Sequence, residues 1–168
     1  MTPAPVPRPT ARILVVDAAD RLLLLAFSES DESAAVSWIT PGGAVNHGEP
    51  LAAAAVRELA EETGHLLAAD AIGPVVATCS GEWSAGSQVF LATESYFFAR
   101  VPGFAVDFSG QEALERSLIT GHRWWTLAEL EDTAERIFPA GLAGLLRELL
   151  ACGVPARPIA LPWAETAG

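Results

Sequence analysis

Apolar residues along this chain come in short runs separated by polar or Gly/Pro-rich breaks. Ala11–Val16 and Arg21–Phe27 flank Asp17-Ala18-Ala19-Asp20, which predicts a β-hairpin. Ser28–Ser33 reads as a loop, and Val36–Thr40 as a short strand ended by Pro41-Gly42-Gly43. The period then changes. Between Pro50 and Thr63 the apolar residues Ala52, Ala55, Val56 and Leu59 recur at helical spacing. Pro50 suits a first helical turn and Gly64 a left-handed stop, so this is the clearest helix. Ile72–Cys79 and Gln88–Val101 read as strands, Pro102–Gly110 as a loop and Trp124–Thr126 as a short strand. Leu127–Thr133 and Leu142–Cys152 read as helices. Strands mixed with two or three helices predict an α/β layered fold. Residues 1–10 carry four prolines and read as a flexible or extended arm. A single domain over 11–153 and a tail over 154–168 complete the organisation, with no internal repeat.

Composition narrows the class. A chain of 168 residues, 51% of them apolar, can bury a full core in one domain. The net charge is −11 and lysine is absent, which argues against DNA, RNA or anionic lipid as partners. The longest apolar stretches, such as Leu22–Phe27 and Leu51–Val56, are too short to span a bilayer, and the start lacks the apolar core of a secretory signal. Cys79 and Cys152 form no CxxC, so neither a disulfide framework nor a zinc knuckle is expected, and a cytoplasmic location is.

The helix carries a local contradiction. Glu58, Glu61 and Glu62 lie at i, i+3 and i+4, on one stripe opposite the apolar face. Like charges at this spacing destabilise a helix by roughly 0.2–0.5 kcal/mol per pair. Negative charge in the last turn also opposes the helix dipole, by roughly 0.3–1 kcal/mol. Arg57 is the neighbouring cation and is expected to pair with one carboxylate. Broken local rules often mark function, and three carboxylates on one rigid face suit a hard divalent cation such as Mg²⁺. A solvated acidic surface is the alternative. Upstream, Gly42 and Gly43 permit a tight turn that could offer a backbone oxygen to the same ion.

Taken together, Gly43-(five residues)-Glu49-(seven residues)-Arg57-Glu58-Leu59-Ala60-Glu61-Glu62-Thr63-Gly64 resembles the Nudix box of the Nudix hydrolase superfamily. Every fixed polar and glycine position is filled; His65 departs from the bulky aliphatic residue that usually follows. The resemblance implies a Nudix fold, an α/β/α sandwich with a mixed β-sheet. It implies a hydrolase that cuts a diphosphate linkage by attack of water at phosphorus. It also implies Mg²⁺ or Mn²⁺ held by Glu58, Glu61, Glu62 and a carbonyl of Gly42 or Gly43. Arg57 would then orient a glutamate, with Glu49 bracing the loop. Glu115, with Glu112 second, is the expected additional acid outside the box, with exposed loop acids as the alternative. The substrate class would be a small nucleotide: a nucleoside diphosphate linked to another moiety, or a nucleoside triphosphate. A homodimer is compatible with it.

Trp38, Trp83, Trp124, Trp125 and Tyr96 are candidates to stack on a ring, with core packing as the alternative. Arg123 could contact phosphate or pair with a surface acid. His47, His65 and His122 show no metal-ligand spacing and read as structural. Three other readings are weaker. A non-catalytic nucleotide sensor usually carries a degraded box and a DNA-binding domain. An isoprenoid diphosphate isomerase needs a catalytic Cys context, and messenger-RNA decapping needs a basic surface.

Overall fold

The computed structural model describes residues 4–28, 35–111 and 118–166. The strands are β1 (Val6–Val16), β2 (Leu22–Phe27), β3 (Ser37–Ile39), β4 (Gly42–Ala44), β5 (Ala77–Ala85), β6 (Gln88–Arg100), β7 (Ile119–Trp125), β8 (Arg136–Ile137) and β9 (Ile159–Leu161). They join one mixed sheet in the order β8-β3-β2-β1-β6-β5-β9, with β4 added to β1 and β7 to β2. The helices are α1 (Leu51–Thr63), α2 (Leu127–Asp132) and α3 (Leu142–Cys152).

Alternation along β1 builds the layers, because successive side chains point to opposite faces of a sheet. Ala11, Ile13 and Val15 pack with Ala54, Ala55 and Leu59 of α1. Leu14 and Val16 pack with Leu142, Leu145, Leu146 and Leu149 of α3. Helices therefore cover both faces of a mixed sheet, the α/β/α sandwich expected.

Strand β1 starts at Val6, inside the stretch read as a flexible or extended arm. The prolines do not prevent this, because a strand residue directs its N–H and C=O to the same side. Pro9 C=O accepts from Val45 N–H at 3.1 Å on the β4 side. The missing donors of Pro7 and Pro9 therefore face away from β6, and the parallel ladder from Val6↔Phe90 to Val16↔Arg100 runs uninterrupted. At the other end, Ile159–Leu161 of the expected tail pair with β5 as β9, and Ile159 and Leu161 pack against the α3 side of the core.

Other boundaries shift for local reasons. The strand read from Ile72 begins at Ala77, after the Gly73-Pro74 break. The short strand read at Trp124–Thr126 is the end of a longer one, β7, which closes at Trp125 and pairs with β2 from Leu22↔Trp125 to Phe27↔Ile119. Leu127–Asp132 is helical as expected, started by a capping box between Thr126 and Glu129. Pro102–Gly110 is a loop ending in a short 3₁₀ turn, Phe108–Gly110. The loop read at Ser28–Ser33 lies, beyond Ser28, outside the described residues.

One feature of the sheet positions the site. β1 and β2 meet at Val16↔Leu22 and then separate, because the segment Pro41–Val45 takes over the edge of β1. Ile13 N–H donates to Pro41 C=O at 3.0 Å, and Arg12 pairs with Gly42. A cleft opens between β1 and the β2–β3–β7 side.

Candidate functional site

Helix α1 runs from Pro50, at its N-cap, to a left-handed Gly64 whose N–H donates to Ala60 C=O at 2.9 Å. Its buried side is not purely apolar. Ala54, Ala55 and Leu59 share it with Glu58 and Glu62, which are only 6% and 4% exposed. The alternative of a solvated acidic surface does not describe Glu58 and Glu62. Two of the three glutamates are sequestered because the Gly42–Ala44 strand lies over them. Gly42 N–H donates to Glu62 Oε2 at 2.8 Å. At Gly43 an added Cβ would lie 2.5 Å from Glu58 Oε2, so only glycine lets the backbone approach this carboxylate. Glu61 stays partly exposed, its side chain 37% accessible.

Arg57 pairs with more than one carboxylate, which overturns the expectation of a single partner. Its guanidinium grips both oxygens of Glu49, Nε to Oε1 at 2.8 Å and Nη2 to Oε2 at 3.0 Å. Nη1 reaches Glu58 Oε1 at 2.8 Å and Glu61 Oε2 at 3.1 Å, and Nη2 also meets Ala44 C=O at 2.9 Å. The planar fork has five donors, enough for this set. Arg57 thus relieves much of the like-charge repulsion on α1 and ties the helix to the loop before it.

Glu49 shows the effect. The hydrogen bonds from Arg57, joined by Asn46 N–H, pull its carboxyl down from 4.5 to about 2. A depressed carboxyl stabilises the fold above its unfolded pKa, and that contribution fades as pH falls from 4.5 toward 2. Glu49→Gln is therefore expected to lower Tm at neutral pH, with the gap to wild type narrowing once the pH drops below about 4.5. A gap that stayed constant into acid would show that Glu49 acts by shape rather than charge.

The cleft beside these carboxylates has two connected parts. The smaller, about 310 Å³, is lined by Gly42, Gly43, Glu58 and Glu62. The larger, about 800 Å³, continues over β5 and β6 to Trp83, Phe138 and Trp163. Arg8, Arg12, Phe27, Ile39 and Leu118 line both. Arg8 rests on the rings of Trp83 and Phe90, 5.4 and 5.8 Å from their centres, and has no carboxylate partner among the described residues.

Arg12, Glu94 and Tyr96 form a buried chain that sequence reasoning missed. Arg12 Nε donates to Glu94 Oε1 at 2.8 Å, and Tyr96 Oη donates to Glu94 Oε2. Arg12 Nη1 donates to the carbonyls of Thr40, at 3.1 Å, and Gly42, at 3.4 Å. Gly42 is thus held at its C=O by Arg12 and at its N–H by Glu62. Burial disfavours the charged guanidinium, yet the attraction and hydrogen bond of Glu94 raise its pKa above the ordinary value. Burial and the neighbouring Glu94 push the Tyr96 phenol up, so it stays a donor. The sequence signal was present: Arg12 and Glu94 are charges inside runs otherwise suited to buried strands.

The remaining candidates divide. Tyr96 and Trp125 are fully buried and serve the core. Trp38 packs edge-on against Trp125, and Trp124 against Phe104. Trp83 alone of the five lines the cleft. Arg123 pairs with Glu129 at 2.8 Å, the surface-acid alternative. His65 stacks on Phe104 at 4.0 Å, a packing role for the position that departs from the box. Glu112 and Glu115 lie outside the described residues.

The NUDIX domain profile matches residues 6–147. The chain belongs to the NUDIX domain family. Its fold is similar to a MutT protein from Methanosarcina mazei Go1, with 19% identity and a TM-score of 0.62 over 87% of this chain and 94% of that one. It is similar to the NUDIX domain of Shewanella oneidensis NrtR complexed with ADP ribose, at 21% identity and a TM-score of 0.63 over 89% and 90%. It is also similar to a C. elegans Ap4A hydrolase, at 20% identity and a TM-score of 0.53 over 86% and 96%. These identities establish a shared fold and no more. Comparison with curated proteins gives no match. Among the described residues no helix is long and apolar enough to cross a membrane.

Nudix hydrolases generally use divalent metals. Among the described residues no three His, Cys, Asp or Glu side chains converge on one point as they stand. The donor set nonetheless fits a hard cation. It consists of oxygen from Glu58, Glu61 and Glu62 within one helical turn, beside a backbone stretch where Gly43 leaves room that a Cβ would fill.

Proposed function

We propose that this Nudix protein hydrolyses a diphosphate linkage in a nucleotide, by attack of water at phosphorus. The observation that carries the reading is the pair of buried carboxylates, Glu58 and Glu62, opening into a cleft that also holds Arg8 and Arg12. Arg57 holds Glu58 and Gly42 N–H holds Glu62, and both carboxylates line the cleft, which supports a cation and its anionic substrate meeting them there. Glu58, Glu61 and Glu62, with the carbonyl of Gly42 or Gly43, would hold Mg²⁺ or Mn²⁺. When bound, such an ion neutralises phosphate charge and lowers the pKa of a coordinated water.

The protein's own residues do the rest. Arg57 fixes the rotamers of Glu58 and Glu61. The Arg12–Gly42–Glu62 chain fixes the loop against the helix. Arg8 supplies a positive charge along the path of the phosphates, where an acidic protein would otherwise repel them. Glu115, with Glu112 second, is proposed as the further acid.

The test is a substrate panel with Mg²⁺ or Mn²⁺, and with chelator. It includes ADP-ribose, a dinucleoside polyphosphate, nucleotide sugars and nucleoside triphosphates, and reads released phosphate before and after added phosphatase. Metal-dependent turnover of one class is expected. Silence across the panel, together with tight ligand binding, would replace this reading with a nucleotide sensor.

A further inference from the structure

The family profile ends at residue 147, yet the cleft does not. Trp163, Ala164 and Glu165 line its larger part, and these residues lie in the segment after α3. We infer that this C-terminal segment is a specificity wall that receives the base of the nucleotide substrate. The inference rests on the proposed diphosphate site.

The segment is built in rather than draped. Strand β9 pairs with β5, Ala140 N–H donates to Ala164 C=O at 2.6 Å, and Thr166 N–H donates to Ile137 C=O at 2.9 Å. Glu165 accepts from Ser37 Oγ and from Arg136 Nε, so its charge is neutralised where it meets the cleft. Trp163 occupies a place made for it. It packs edge-on against Phe138 at 5.0 Å, and its indole lies over Gly81, where a Cβ would come within 2.0 Å of the ring.

Charge and shape orient the occupant. The carboxylates and Gly43 stand at one end of the cleft, Arg8 and Arg12 in the middle, and Trp83, Phe138 and Trp163 at the other. The diphosphate belongs at the first end and across the arginines. At the far end Phe138 and Trp163 offer aromatic surface and Glu165 is paired with Arg136, while Arg8 rests on Trp83; the Trp163 side therefore suits a flat, uncharged heteroaromatic ring. The larger part of the cleft as a whole, from the arginines to this end, has a volume of about 800 Å³, room for a nucleoside.

The test compares two ligands on three proteins. Calorimetry with Mg²⁺ would measure the Kd of methylenediphosphonate, which has no base. It would also measure the Kd of whichever of ADP, GDP, CDP and UDP the wild type binds most tightly. The proteins are wild type, Trp163→Ala and Gly81→Ala; the second variant displaces the indole without deleting it. Stacking losses of this kind weaken binding by about tenfold or more. The nucleotide should weaken by that factor in both variants, while methylenediphosphonate stays within about twofold. Three outcomes would overturn the wall: unchanged nucleotide affinity, equal weakening of both ligands, or no binding of any of the four nucleotides to wild type. If the affinity split holds but no substrate turns over, the hydrolase reading falls and the wall stands. Turnover without the split leaves the reverse.

Discussion

Glu62→Gln is expected to fold like the wild type and to lose about 10²–10³-fold in metal-dependent turnover, the range for removing one charge-stabilising group from an active site. The two side chains have the same shape. The amide oxygen of Gln can still accept the Gly42 N–H that Glu62 takes at 2.8 Å, so the loop keeps its anchor. What disappears is a negative charge, 4% exposed, on the wall of the smaller cleft. A merely structural carboxylate would leave kcat unchanged or lower Tm along with it. The measurement is kcat against Mg²⁺ concentration, with Tm recorded for both proteins. Wild-type kcat in the variant would remove Glu62 from the proposed machinery, and a right-shifted Mg²⁺ curve with recovery at high metal would assign its part to affinity.

Glu94→Ala is expected to be the most destabilising single change at the site, by about 3–5 kcal/mol, because it strands a buried guanidinium. Glu94 is 4% exposed and Arg12 15%. Removal of the carboxylate also deprives Tyr96 of its acceptor in a fully buried position. For a domain of this size the loss corresponds to a fall in Tm of about 10 °C. The double variant Arg12→Met with Glu94→Ala should recover much of that loss, since no buried charge is left uncompensated. It should nevertheless remain impaired in turnover, because Gly42 C=O loses its Arg12 donor. Chemical denaturation of the three variants measures the first claim, and a loss under about 1 kcal/mol for Glu94→Ala would contradict it.

The contrast between these two residues shows how far the sequence could be read. Glu62 stands in a pattern fixed by helical period and a run of specified positions, so it was legible before any fold was known. Helix α1 with its Gly64 stop was legible for the same reason. Glu94 was not. It meets Arg12 across a parallel ladder, Arg12↔Tyr96, between strands far apart in the chain. No local spacing encodes such a partner. The same limit explains Arg57, whose multiple pairing depends on how the loop carrying Glu49 folds back. It explains the ends as well. Pro7 and Pro9 argue locally against a strand, and only the position of β6 shows that their missing donors fall on the harmless side. Ile159–Leu161 is too short a run to read as a strand until β5 presents an edge.

The pairing of β1 with β6 also governs how this chain can reach its fold. β5 and β6 are neighbours in sequence and close into a hairpin through a tight turn at Gly86. β1 has no comparable local partner, since its contact with β2 is confined to Val16↔Leu22. Its long ladder is completed only when residues from Gln88 onward arrive. Closing so large a loop is entropically uphill before any contact rewards it, and folds dominated by such pairings form slowly. During synthesis the apolar stretch Ile13–Val16 therefore leaves the ribosome well before the strand that covers it. Docking of the β5–β6 hairpin onto β1 is the step expected to limit folding, and refolding kinetics of a variant that weakens the β5–β6 turn at Gly86 would check it.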